Sequence, residues 1–134
     1  MHKKLLFLCT GNSCRSQMAE GLANIKLNKK FKISSAGVEA HGLNPKAIEA
    51  MNEINIDISG QQSQSISVDE LSEYDFIITL CGDARDRCPA LLSNRKNIHW
   101  DLQDPANATG SDKEVMNIYR QVRDQISHNI DALL

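Results

Sequence analysis

Cys9-Thr10-Gly11-Asn12-Ser13-Cys14-Arg15-Ser16 brings a thiol, turn-forming residues and a guanidinium into one short segment. A thiol attacks near neutral pH only as its thiolate, which a helix N-terminus, inward-turned backbone N–H groups and a nearby cation each favour. The segment can supply all three. Gly11 and Asn12 tolerate the left-handed backbone that turns successive N–H groups inward as an anion nest, and Arg15 offers a planar fork matched to two oxyanion oxygens. Ser16, at the start of an expected helix, can donate its hydroxyl to Cys9. Cys9 therefore reads as a nucleophile, and Thr10, Gly11, Asn12, Ser13, Cys14 and Arg15 as the cradle of a phosphate-like oxyanion. A buried cysteine before an ordinary Gly-Asn turn would account for single residues. It does not account for a strand, Cys, five residues, Arg-Ser and a helix in that order.

Three later residues bear on the fate of the adduct that such an attack would form. Asp104 precedes Pro105, as a turn-starting carboxyl would, at the end of a candidate strand. Cys81 and Cys88 bracket Gly82-Asp83-Ala84-Arg85-Asp86-Arg87 and are followed by Pro89. Hydrolysis has no need of these two thiols, whereas a redox reaction does. If the strand ending at Cys81 lies beside the strand ending at Cys9, the two ends are separated by about 5 Å. Cys81 can then attack an adduct on Cys9. In a helix, Cys81 and Cys88 would hold their α-carbons about 10 Å apart, against roughly 5.5 Å in a disulfide, so pairing them requires unwinding. Gly82 as hinge and Pro89 as helix stop suggest a loop that opens and carries an oxidised pair to the surface. Cys14 reads as packing beside the nest, His41 as a loop hydrogen-bonder and His99 as packed or half exposed, the two histidines outside the site.

The elements that must position these residues are legible in the hydrophobic pattern. Lys4 to Leu8 is a short apolar run ending at a Gly-containing turn, as expected of a strand buried on both faces. Ser16 to about Asn28 predicts a helix whose apolar face carries Met18, Ala19, Leu22 and Ile25, with Ala23 and Leu27 flanking. Phe31 to Ser35 predicts a second strand. Asn44-Pro45 predicts the cap and first residue of a helix with Ala47, Ile48, Met51 and Ile54 inward. Ser67 with Glu70 and Ser111 with Glu114 form capping-box patterns. Phe76 to Leu80 and Asn97 to Trp100 are the third and fourth strands, and Val115, Ile118, Val122, Ile126, Ile130 and Leu133 mark a terminal helix. Alternating strands and helices imply an α/β fold with right-handed crossovers, a parallel sheet, and ligands at the carboxyl ends of its strands. Cys9, Cys81 and Asp104 all fall at such ends.

Length and composition narrow the class. The chain has 134 residues, 41% hydrophobic and 24% charged, which suits one domain over 1–134 with one core. A net charge of -2 with scattered basic residues argues against nucleic acid as a partner. Leu5 to Leu8 is too short for a secretion signal, and no segment reads as membrane-bound, so a cytoplasmic monomer is expected. Four cysteines in a reducing compartment point to catalysis or metal rather than static disulfides. Their spacings, Cys9-x4-Cys14 and Cys81-x6-Cys88, are not those of structural zinc, and no metal site is assigned.

Cys-x5-Arg-Ser near the N-terminus with a late Asp-Pro resembles the low-molecular-weight protein tyrosine phosphatase family. That resemblance implies a flavodoxin-like four-stranded parallel sheet of order 2-1-3-4 with helices on both faces. It also implies attack by Cys9 on phosphorus, oxyanion binding by Arg15 and the loop amides, and protonation of the leaving group by Asp104. Cys81-x6-Cys88-Pro89, Ser35-Ala36-Gly37 and His41-Gly42-x-Asn44-Pro45-Lys46-Ala47 further resemble the thioredoxin-coupled arsenate reductases, over nearly the whole chain. For those enzymes Cys9 would attack arsenate, Cys81 would attack the adduct and release arsenite, and Cys88 would take over the disulfide for reduction by thioredoxin. Arsenic accepts two electrons in such a relay, and phosphorus does not. No tightly bound cofactor is implied. Some members bind potassium beside the loop; Asn12, Glu20 and Ser35 match those positions, but Gln64 stands where Asp is expected and removes a carboxylate. Three readings remain, in this order: arsenate reductase, protein tyrosine phosphatase with Asp104-Pro105-Ala106-Asn107 lacking tandem aromatics, and a non-enzymatic redox or anion-binding module.

Overall fold

Leu5 to Cys9 are buried at every position, so β1 (Lys3–Cys9) is covered on both faces, as its unbroken apolar run requires. The computed structural model describes residues 3–80 and 96–133. After β1 come α1 (Arg15–Lys26), β2 (Phe31–Gly37), α2 (Pro45–Asn52), the single turn α3 (Val68–Leu71), β3 (Phe76–Thr79), β4 (Lys96–His99), a 3₁₀ turn at Pro105–Asn107 and α4 (Asp112–Asp131). The four strands form one parallel sheet in the order β2-β1-β3-β4. The chain runs outward from β1 to β2, then returns across β1 to β3. The strand order therefore reverses between β1 and β3, where an open α/β sheet leaves a crevice at its carboxyl edge.

Register fixes what meets in that crevice. Cys9 pairs with Gly37 on one side, and Leu8 pairs with Thr79 on the other. The Leu80 N–H then donates to Leu8 O at 2.9 Å, so Leu80 lies beside the end of β1. The expectations placed on Cys81, Cys88 and the loop between them lie outside the described residues.

Helix ends follow the capping chemistry. Asn44 accepts from Lys46 N and Ala47 N at the start of α2, and both Ser67–Glu70 and Ser111–Glu114 close full capping boxes. Two apolar assignments need correction. Ile25 is 60% exposed, because the seam of α1 passes from Leu22 to Lys26, whose ammonium reaches Ser127 Oγ at 2.6 Å and Asp131 at 2.7 Å on α4. Ile54 is 37% exposed, because α2 ends at Asn52 and a turn with Asn55 at φ 63° hands the apolar role to Ile56 and Ile58. In the first turns of α4 the deepest side chains are Met116 and Tyr119, with Val115 and Ile118 half-buried beside them.

Candidate active site

Residues 9 to 13 are held by their carbonyls. Cys9 O accepts from Val38 N at 3.1 Å, Thr10 O from Glu39 N at 2.9 Å, Gly11 O from His41 N at 2.9 Å, and Ser13 O from Asn44 N at 3.0 Å. Asn12 O accepts from Gln17 Nε2 at 3.0 Å. In a trans peptide the C=O and the following N–H point in opposite directions. With five successive carbonyls turned outward, the N–H groups of residues 10 to 14 turn toward the inside of the loop, which makes it an anion nest. The start of α1 adds to it: Cys14, at the N-cap, makes no side-chain cap, leaving the first-turn N–H groups directed at the same place.

Gly37 is required where β2 meets this loop. A Cβ there would lie 2.7 Å from Asn12 N and 2.8 Å from Thr10 O. Asn12 alone in the loop is left-handed, at φ 47°. Gly11 is not, which corrects the expectation for it. Gly11 lacks a side chain because the His41 ring lies against it, with Cγ 2.9 Å from where a Cβ would sit.

Asn12 is fully buried and fixes hydrogen-bond polarity down to the thiol. The backbone N–H of Gln64 can only donate, and it meets Asn12 Oδ1 at 2.8 Å. That settles the amide orientation, so Nδ2 donates to Ser16 Oγ at 2.8 Å and to Ser35 Oγ at 3.0 Å. Ser35 in turn gives its proton to Glu20 Oε1 at 2.5 Å. Burial pushes the Glu20 carboxyl up, and the Ser35 hydrogen bond opposes it. The Ser16 oxygen is thus already accepting, and its proton is available to Cys9 Sγ, 2.8 Å away.

Arg15 is 8% exposed, with Nη1 donating to Leu80 O at 3.3 Å and Leu102 O at 3.2 Å and Nη2 lying 3.5 Å from Asp104 Oδ2. Asp104 Oδ1 accepts from Ala106 N at 3.0 Å, opening the Asp-Pro turn. Cys9, Thr10, Gly11, Ser13, Cys14, Arg15, His41, Asp104 and Ala106 line one pocket of about 240 Å³. Cys9 is 3% exposed and lines that pocket, which gives a reagent a route to it. Burial pushes the Cys14 thiol far up and the Asp104 charge adds to it, which keeps Cys14 protonated beside Cys9. A nucleophilic sulfur, a ring of N–H donors, a guanidinium and a carboxyl at one small cavity can bind a tetrahedral oxyanion and attack its central atom.

Residues 4–134 match the low molecular weight phosphotyrosine protein phosphatase family. The chain belongs to that family. Its relatives include proteins named arsenate reductase: one from Oceanobacillus iheyensis is 52% identical over 97% of this chain and 94% of its own length. Another, from Bacillus subtilis, is 50% identical over 96% and 93%. A solved arsenate reductase in a phosphate-binding state superposes with a TM-score of 0.84 at 37% identity, covering 98% of this chain and 95% of that one.

Within this family framework, the sequence-derived residues Cys9 to Ser16 and Asp104 converge on the pocket or its immediate support. Sequence reasoning left out three residues that the fold brings in. His41 lines the pocket itself. Gln17 and Asn44 hold the loop from behind; Asn44 also donates from Nδ2 to the Tyr119 hydroxyl at 2.9 Å. Asn44 was legible only as a helix cap, and nothing in the spacing marks Gln17.

Proposed function

We propose that this chain reduces arsenate to arsenite, with Cys9 as nucleophile, Cys81 and Cys88 as resolving thiols, and thioredoxin as the final reductant. The observation that carries this reading is the register at the β1/β3 crevice. Arg15 binds Leu80 O, Leu80 N binds Leu8 O, and Cys81 is the next residue in the chain. Support also comes from the relatives named arsenate reductase.

In the scheme, arsenate enters the nest with its oxygens on the loop N–H groups and Arg15. Cys9 Sγ forms a bond to arsenic while an arsenic-bound oxygen leaves as water, its proton supplied from Asp104. Cys81 Sγ then attacks Cys9 Sγ. The As–S bonding pair stays on arsenic, which passes from the +5 to the +3 state and leaves as arsenite, while the two sulfurs form a disulfide. Cys88 attacks Cys81, returning Cys9 as thiolate held by the Ser16 hydroxyl. The Cys81–Cys88 disulfide is reduced by the dithiol of thioredoxin.

The residues do not fit a potassium ion. Hard cations need several unshared oxygens. Asn12 Oδ1 is taken by Gln64 N and by Gln17 Nε2 at 3.1 Å, and Ser35 O by Gln64 Nε2 at 2.8 Å. Gln64 turns its backbone and side-chain amide hydrogens, not an oxygen, toward these groups.

The test is arsenate-dependent NADPH oxidation with thioredoxin and thioredoxin reductase. Cys9→Ser is expected to abolish turnover, and Cys81→Ser and Cys88→Ser to stop after at most one equivalent of arsenite. Continued turnover by either resolving variant would overturn the relay. The family and the placement of Asp104 favour a weak phosphatase side activity, read as para-nitrophenyl phosphate hydrolysis that needs Cys9 and is indifferent to Cys81 and Cys88.

A further inference from the structure

His41 forms part of the pocket wall, and its ring has one nitrogen committed and one not. Its backbone N–H donates to Gly11 O at 2.9 Å, and the ring lies against Gly11, with Nδ1 the ring atom nearest the place a Gly11 Cβ would take. Nε2 meets Glu39 Oε2 at 2.7 Å. A carboxylate can only accept from the ring, so Nε2 carries a hydrogen. Nδ1 has no hydrogen-bond partner among the described residues and, in the imidazolium form, carries a hydrogen on the side of the ring that faces the loop.

We propose that His41 is a substrate-binding residue, with Glu39 holding Nε2–H and Nδ1–H donating to an oxygen of the tetrahedral oxyanion seated in the loop. This rests on the reading of Cys9 to Ser16 as an oxyanion cradle. The loop amides and Arg15 supply donors from the loop and the start of α1, and His41 is the residue of the β2–α2 segment that lines the same pocket. Among the described residues, the other ionisable groups at the pocket are Cys9, Cys14 and Arg15 from the loop and Asp104 from the segment after β4; Glu39 faces His41 from its own segment. The neutral ring, with its hydrogen kept on Nε2 by Glu39, turns a lone pair toward the anion. The contact therefore requires the imidazolium form of the ring.

Sulfate is a suitable probe, since it stays doubly charged across the interval of about pH 5 to pH 8 in which imidazoles titrate. Its binding to the full chain would be followed by calorimetry and by protection of Cys9 from alkylation. His41→Gln is expected to weaken binding about three- to tenfold at the acid end, the size of one partly solvated charge-assisted hydrogen bond. At the alkaline end the two proteins should converge. Glu39→Gln, which leaves the ring and removes its anchor, should reproduce part of the acid-end loss. In turnover at acid pH, His41→Gln should raise the arsenate KM by more than it lowers kcat. Parallel pH profiles for wild type and His41→Gln would overturn the assignment while leaving the cradle intact. Sulfate binding that survives Arg15→Ala, or fails in the wild type, would overturn both.

Discussion

The Ser16 hydroxyl shows how a single proton can be directed. Its oxygen receives Asn12 Nδ2 at 2.8 Å, so its own hydrogen goes to Cys9 Sγ at the same distance. Hydrogen bonds to charged groups contribute about 1.5 to 3 kcal/mol, so Ser16→Ala should lower kcat/KM for arsenate by roughly tenfold to a hundredfold. Steady-state assays would check this, and an unchanged rate would show that the thiolate does not depend on the hydroxyl. At this scale much of the site was legible, because the cradle is contiguous in the chain and each residue type announces its chemistry. His41 was not, because a histidine in a loop carries no sign of the ring-to-Gly11 contact that places it in the pocket. Gly11 was recognised as necessary for a different reason from the one the fold gives: it makes room for that ring rather than for a left-handed turn.

Among the elements, two caps of similar sequence should behave differently. Ser111 caps α4 away from the pocket, so Ser111→Ala should cost about 1 kcal/mol. That corresponds to roughly 3 to 5 °C in melting temperature for a chain of this size, with activity retained. Asn44 caps α2, donates its backbone N–H to Ser13 O and binds Tyr119, so Asn44→Ala should lose both stability and arsenate turnover. Thermal scans and steady-state assays on the pair would separate a helix cap from a loop anchor. The α2–α4 contact carries its own pH signature. Hydrogen bonding from Arg120, and then from Arg123, holds the Glu53 carboxyl below the usual glutamate range. A lowered folded-state value stabilises above the unfolded value, about 4.3 for glutamate, and that contribution is lost as pH falls through the folded one. In urea melts Glu53→Gln should therefore be less stable than wild type at neutral pH, with the gap closing on acidification. Neither arginine of this clasp was legible, since a charged residue on a helix reads as solvent-facing until its partner helix is known.

For the whole molecule, the four strands, their direction and the carboxyl-edge location of the chemistry could be read from apolar runs alone, whereas the order 2-1-3-4 was available only through family resemblance. Hydrophobicity identifies which segments are central but not which neighbours they choose. Periodicity also failed at element ends, at Ile25 and Ile54, where the seam passes to a lysine stem or the helix has already stopped. The core itself has little slack. Leu6 is fully buried in β1, and Leu6→Ala should cost about 2 to 5 kcal/mol against a total of about 5 to 15, read as a lower urea midpoint with unchanged slope. No helix among the described residues is long and apolar enough to cross a membrane. The carbonyl ladder from residues 9 to 13 onto Val38, Glu39, His41 and Asn44 uses main-chain atoms throughout, apart from the Gln17 amide. Such a clasp counts residues rather than recognising them. Apart from Glu39, His41 and the left-handed Gly42, the chain between Gly37 and Asn44 should accept replacements yet reject a one-residue insertion, which would slide every peptide out of step and turn the anion-binding amides away from their target.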